Sequence, residues 1–160
     1  MTVATSGKIV ERDAACHWRA ARSGPVVFTN GVFDLVHAGH VAFLEGAHAL
    51  GDALVVGVNT DASAARLGKG PGQPFVPEAD RARVVAALAA VDLVVLFAED
   101  TPAALVGALR PDILVKGADY DPATLPGREH VVARGGAVRV LPLLPGRSTT
   151  ALVERIRAAT

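Results

Sequence analysis

The chain has 160 residues, enough for one domain with a sizeable core and too few for two. Its 16 basic and 16 acidic residues balance, so no global field draws it to nucleic acid or to an anionic membrane, and small molecules are the expected partners. Cys16 is the one cysteine, which excludes an internal disulfide and a cysteine-rich zinc site, and no segment reaches the roughly 18 uninterrupted apolar residues of a membrane span.

The opening "MTVATSGKIVERD" lacks the basic start and apolar run of a signal peptide, so a reducing cytoplasm is the expected compartment. Residues 1–24 read as a lead-in, with a helix over 8–22 that docks Trp18 on the core. Residues 25–160 read as the main body of a single-domain protein. There, short apolar runs alternate with longer helical stretches. The strand candidates are 26–29, 53–58, 93–97, 112–116 and 137–141. They are β-branched and almost continuously apolar, as strands covered on both faces are. Between them, "HVAFLEGAHAL" sets Val41, Leu44 and His48 on one helical face, and "PEADRARVVAALAA" is rich in helix formers. Thr101 and Pro102 resemble an N-cap with proline at the first helical position. The glycines and prolines of "LGKGPGQPFVP" (67–77) are too dense for a helix and predict an irregular loop, a candidate lid. Alternation of this kind predicts an α/β, doubly wound, Rossmann-like five-stranded parallel sheet with helices on both faces. Ligands of such sheets bind beyond the carboxyl ends of the strands, where the strand order reverses.

The stretch "FTNGVFDLVHAGH" (28–40) falls at such a place, as the first strand, its loop and the start of a helix. A helix N-terminus offers free N–H groups and partial positive charge to a phosphate. Gly39 allows close approach between His37 and His40, whose imidazoles can both donate to one phosphate group. The plainer alternative is that His40 caps a helix and His37 is an ordinary loop residue. A metal site lacks a third ligand at suitable spacing, since Asp34 alone does not make one. Neither a G-x-x-x-x-G-K-[ST] loop nor a G-x-G-x-x-G follows the strand, which disfavours kinase and dehydrogenase readings. His17, His48 and His130 have no such context and read as structural or solvated.

"TNGVFDLVHAGH" resembles the first motif of the cytidylyltransferase-like nucleotidyltransferases, and "GRSTTALVERI" resembles their second, at the opening of the last helix. Through "VVGVNTDASAARL", "RARVVAALAAVDLVVLFAEDTP", "PDILVKGADY" and "RSTT" the chain is most similar to the heptose 1-phosphate adenylyltransferases, which make ADP-heptose for bacterial surface polysaccharide. That activity is often fused behind a sugar kinase; the chain resembles the stand-alone form. It departs from the family at Ala118, where glycine is expected.

The resemblance implies AMP transfer from ATP to the sugar phosphate with release of pyrophosphate and no covalent intermediate. It implies catalytic roles for His37, His40, Lys116 and Arg147. ATP is then expected at Thr29, Asn30, Gly31, Phe33, Gly39, Gly117, Asp119, Ser148, Thr149 and Thr150, and at Lys69, which is equally readable as a solvated lysine. Four residues are expected on the sugar side, each with a plainer alternative. Asp34 binds substrate or caps its loop; Asn59 and Asp61 hold sugar hydroxyls or serve a turn; Arg81 reaches the site or makes a surface ion pair. No residue is expected to ligate a metal, and Mg²⁺ is expected to arrive on the phosphates of ATP. A homo-oligomer is expected from the family, although the apolar helices can equally pack on their own sheet. The rival readings are a cytidylyltransferase for glycerol 3-phosphate and a non-catalytic nucleotide-binding protein. The second would be expected to lack a motif histidine or the Ser-Thr pair.

Overall fold

The computed structural model describes residues 4–160; the first three residues of the lead-in lie outside them. Two helices, α1 (Thr5–Lys8) and α2 (Arg12–Ala20), precede β1 (Val26–Gly31), α3 (Ala38–His48), β2 (Ala53–Asn59), α4 (Asp61–Arg66) and α5 (Glu78–Ala87). Then follow β3 (Leu93–Phe97), α6 (Ala103–Leu109), β4 (Ile113–Gly117), α7 (Arg128–Val132), β5 (Ala137–Leu141) and α8 (Thr149–Ala158). All strand pairs are parallel, in the order β3-β2-β1-β4-β5. The expected five-stranded doubly wound sheet is thus present, and its order reverses at β1.

Alternation along the strands gives the sheet two apolar faces. Val26 and Phe28 point with Val55, Val95 and Leu114 into a layer closed by Leu105, Leu109 and Val131 of α6 and α7. Val27 points with Leu54, Val56 and Val94 into a layer closed by Leu44 and Val85 of α3 and α5. Gly57 makes room for the Phe28 ring, since a Cβ there would lie 2.9 Å from Phe28 Cζ. The lead-in joins the first layer through Ala15, fully buried, and Trp18, partly buried against it.

The expected single lead-in helix is two helices, because Ile9 and Val10 between them are drawn out along β3. Ile9 bridges Val94 in parallel, and Val10 N–H donates to Val94 O at 3.0 Å. That covers part of one rim of the sheet, at Val94, whereas Arg139 and Val140 on β5 are exposed at the other. Helix α6 starts one residue later than the Thr-Pro signal suggests, with Pro102 at the N-cap and Thr101 Oγ1 3.5 Å from Ala103 N. On α3 the buried residues are Leu44 and Ala47, while Val41 is only half-buried, as is His48, which pairs with Asp92 at 3.4 Å.

One detail of register positions the site. β1 pairs with β2 from Val26↔Ala53 to Gly31↔Val58, but with β4 only at Val27↔Ile113 and Phe28↔Leu114. Beyond Phe28 the seam between β1 and β4 opens. Side chains bridge it there: Thr29 Oγ1 donates to Val115 O at 2.7 Å, and Lys116 Nζ to Asn30 O at 2.8 Å.

Candidate functional site

Above that seam lies a cleft of about 480 Å³. The ends of β1 and β4 form its floor, and the N-termini of α3 and α8 face it. His37 is the N-cap of α3. Its Nδ1 accepts from Gly39 N–H at 3.1 Å, and His40 Nδ1 accepts from His37 N–H at 3.2 Å. Capping is therefore present, but with His37 rather than His40 at the N-cap and His40 returning a bond from inside the helix, and it fixes the chemistry of the rings. With both Nδ1 atoms used as acceptors, each neutral imidazole carries its proton on Nε2, the remaining donor. The rings lie 4.0 Å apart. Burial, then the neighbouring His37 and Lys69, pushes His40 down to about 4, and burial followed by Arg147 lowers His37. Both rings are accordingly neutral at pH 7.

Gly39 is what brings the two helix starts together. A Cβ there would meet His37 Nδ1 at 2.9 Å and Arg147 Cβ at 3.0 Å, so only glycine lets the loop before α8 sit against α3. Ser148 caps α8, its Oγ accepting from Ala151 N–H at 3.0 Å. Arg147, Thr149 and Thr150 share the same wall. Opposite, the Lys116 ammonium lies 4.5 Å from the centre of the Tyr120 ring. Burial, then repulsion from Lys69, brings Lys116 to about 8 against an opposing pull from Asp119. Phe33 holds a left-handed backbone, φ +54°, which sets its ring against Gly31 and 5.5 Å from His40. An apolar side chain in that conformation stores about 1–3 kcal/mol, a strain typical of working sites.

Of the expected residues, the cleft gathers Asn30, Gly31, Phe33, Asp34, His37, Gly39, His40, Lys69, Lys116, Gly117, Asp119, Arg147, Ser148, Thr149 and Thr150. Thr29 does not reach it; the side chain is fully buried and spent on Val115 O. Arg81 is neither at the cleft nor at the surface. It is fully buried, donates to the carbonyls of Val32, Asn59 and Val76, and pairs with Asp61 at 2.7 Å. Asp61 is thereby engaged away from the cleft. Asp34 lines the cleft, yet its carboxylate accepts from the N–H groups of Phe75 and Val76 at 2.9 Å, and so holds the end of the glycine-rich loop. Asn59 is buried on Ser63 Oγ and lines a separate, smaller cavity.

The sequence reading missed Val32, Phe43, Gln73, Tyr120, Leu143 and Leu144 on the cleft wall. Val32 within "TNGVFDLVHAGH", Gln73 within "LGKGPGQPFVP" and Tyr120 within "VKGADY" carried a signal. Ala118 is exposed and donates its N–H to Leu141 O at 2.9 Å, so its methyl group meets no obstacle.

Comparison with known proteins agrees with this architecture. A family model described as cytidylyltransferase-like matches residues 28–155. The protein named bifunctional protein HldE is 59% identical in Magnetococcus marinus over 86% of this chain, and 54% identical in Halorhodospira halophila over 97%. Those matches cover 28% and 33% of the relatives, so the chain spans about a third of their length or less. The solved lipopolysaccharide core biosynthesis protein of Thermoplasma volcanium is 31% identical with a TM-score of 0.64, covering 76% of this chain and 98% of that one. A pantoate-beta-alanine ligase from Francisella tularensis, at 12% identity and a TM-score of 0.56, shares the fold alone. With a family model spanning both motifs, and both motifs meeting at one cleft, the chain belongs to the cytidylyltransferase-like family.

Proposed function

We propose that the chain transfers AMP from ATP to D-glycero-β-D-manno-heptose 1-phosphate, giving ADP-heptose and pyrophosphate for surface polysaccharide. The observation that carries this reading is the pair of imidazoles whose Nδ1 atoms are both taken by backbone N–H groups at a cleft shared with a second helix N-terminus. Held this way, His37 and His40 serve as fixed Nε2–H donors to the α-phosphate. They gain most as negative charge builds on it during substitution. They are not needed as bases. The attacking phosphate, with a second pKa near 6, is already ionised at pH 7. Ser148, Thr149, Arg147 and the free N–H groups of α8 hold the β and γ phosphates, and Lys116 stands across the cleft as a point charge.

The close relationship to the HldE proteins supports this reading, and the name of the Thermoplasma volcanium relative, a lipopolysaccharide core biosynthesis protein, supports a place in surface polysaccharide synthesis. Among the described residues no group of three or more His, Cys, Asp or Glu is placed to hold a metal ion. Mg²⁺ accompanying ATP would take its ligands from the phosphates and water. The same reading includes a cytoplasmic reaction by a homo-oligomer, which light scattering tests. Pyrophosphate release over a grid of ATP, CTP and GTP against heptose 1-phosphate and glycerol 3-phosphate tests the reaction. Turnover is expected with ATP and heptose 1-phosphate, and turnover confined to CTP with glycerol 3-phosphate would overturn it.

A further inference from the structure

Lys116 is the one charged residue of β4, and its ammonium is held by two groups from different parts of the chain. Nζ donates to Asn30 O near the end of β1 at 2.8 Å, across the part of the seam where β1 and β4 no longer pair. The Tyr120 ring is the second group. Its centre lies 4.5 Å from Nζ, inside the roughly 6 Å over which a cation is drawn to an aromatic face. A tight turn puts it there. Tyr120 N–H donates to Gly117 O at 3.0 Å, which folds the ring back towards the strand it follows. Gly117 admits that turn, since a Cβ there would lie 2.7 Å from Asp119 Oδ1 and from Leu143 Cδ2.

A lysine head on a four-carbon stem is a mobile charge, and burial beside a second cation makes it lose its proton readily. Both conditions hold here. Burial and then Lys69 of the glycine-rich loop act against the charged form, and Asp119 acts for it. The other charged or titratable groups of the cleft are Asp34, engaged by the N–H groups of Phe75 and Val76, and His37, His40 and Arg147 on the side of α3 and α8. Asp100, in the adjoining cavity, is paired with Arg66. A ring face favours the cation through its quadrupole, without a net charge that would repel phosphate. Burial and Asp119 raise the Tyr120 phenol, so the ring is neutral over the range in which Lys116 titrates.

Resting on the use of ATP proposed above, we propose that Tyr120 is a positioning residue, whose ring face, with the Asn30 carbonyl, holds the Lys116 ammonium in place as a cation for the triphosphate. Tyr120 acts through Lys116 and makes no binding contact of its own with the nucleotide.

The test is the affinity for ATP with Mg²⁺, measured by isothermal titration calorimetry on the full chain at pH values on both sides of 8. In the wild type, affinity falls above a bend at about pH 8, where Lys116 loses its proton. Tyr120→Leu keeps an apolar side chain without an aromatic face, at a turn position that is 45% exposed. It is expected to move the bend down by about one pH unit, which lowers the charged fraction at pH 8 from about a half to about a tenth and the affinity about fivefold. Tyr120→Phe keeps the ring and is expected to leave the bend in place. In Lys116→Met the bend is absent, and adding Tyr120→Leu to it is expected to cost nothing further. An unmoved bend in Tyr120→Leu overturns the proposal. So does an equal loss of affinity from Tyr120→Leu in the Lys116→Met background, which would mark a direct contact with the nucleotide. ATP binding needs no acceptor. A wild type that binds ATP with the expected bend and makes no ADP-heptose therefore overturns the reaction proposed above and leaves the role of Tyr120 standing, whereas one that binds no ATP overturns both.

Discussion

His37 and His40 are donors by construction, because the backbone claims the nitrogen that would otherwise accept a proton. Removing either imidazole, as in His37→Ala or His40→Ala, is expected to lower kcat by about 10²–10³, the usual loss for one transition-state donor. Circular dichroism should show the fold retained, and near-normal turnover in both variants would refute the role. The low pKa of His40 has its own signature. In the free protein its ring should titrate near 4 by NMR, and bound ATP should move it upward, since anionic phosphate favours the imidazolium. For stability the sign is equally definite. Between pH 6.5 and about 4 the unfolded chain binds a proton that the folded ring refuses, so stability falls as pH falls through that window. His40→Asn should flatten that slope in urea unfolding. Lys116 works in the other direction. Above about pH 8 it loses its charge, and KM for ATP is expected to rise there in the wild type but not in Lys116→Met.

At the scale of elements, the site depends on two helix starts and one buried arginine. Ser148→Ala removes the α8 cap, at a cost of about 1 kcal/mol, and should raise KM for ATP. Arg81 ties the ends of β1, β2 and the glycine-rich loop together through three carbonyls. Arg81→Met is expected to lose about 3–5 kcal/mol, seen as a lower urea midpoint, because Asp61 and the three acceptors lose their donor together. The elements differed in how far the sequence exposed them. The strands and α3, α5 and the start of α6 were legible from apolar runs, helix formers and a cap signal, while α8 rested on the resemblance of its opening motif. Helices α4 and α7, of six and five residues, are too short for a period to show. His37, Gly39 and His40 were legible from their place between the first strand and a helix start, whereas Lys116, Gly117, Asp119 and Arg147 to Thr150 rested on the resemblance to the family. Arg81 and Thr29 were misplaced because local sequence does not reveal which side of a helix or strand the fold will bury. Leu143 and Leu144 were invisible, since apolar loop residues look alike wherever they point.

For the whole molecule, the two apolar layers share one sheet, and β1 sits at its centre. Phe28, fully buried between Gly57 and Leu114, links the strand that carries the site to the layer beneath it. Phe28→Ala should cost about 3–5 kcal/mol in chemical unfolding, a large part of the 5–15 kcal/mol typical of a domain. The rims of that sheet are unequal. Ile9 and Val10 lie along β3, while β5 ends in solvent. An edge strand with free backbone groups is where another strand can pair. The few residues before the first strand thus set a cover over part of the β3 rim, which a strand added there would first have to displace, whereas one added at β5 would not.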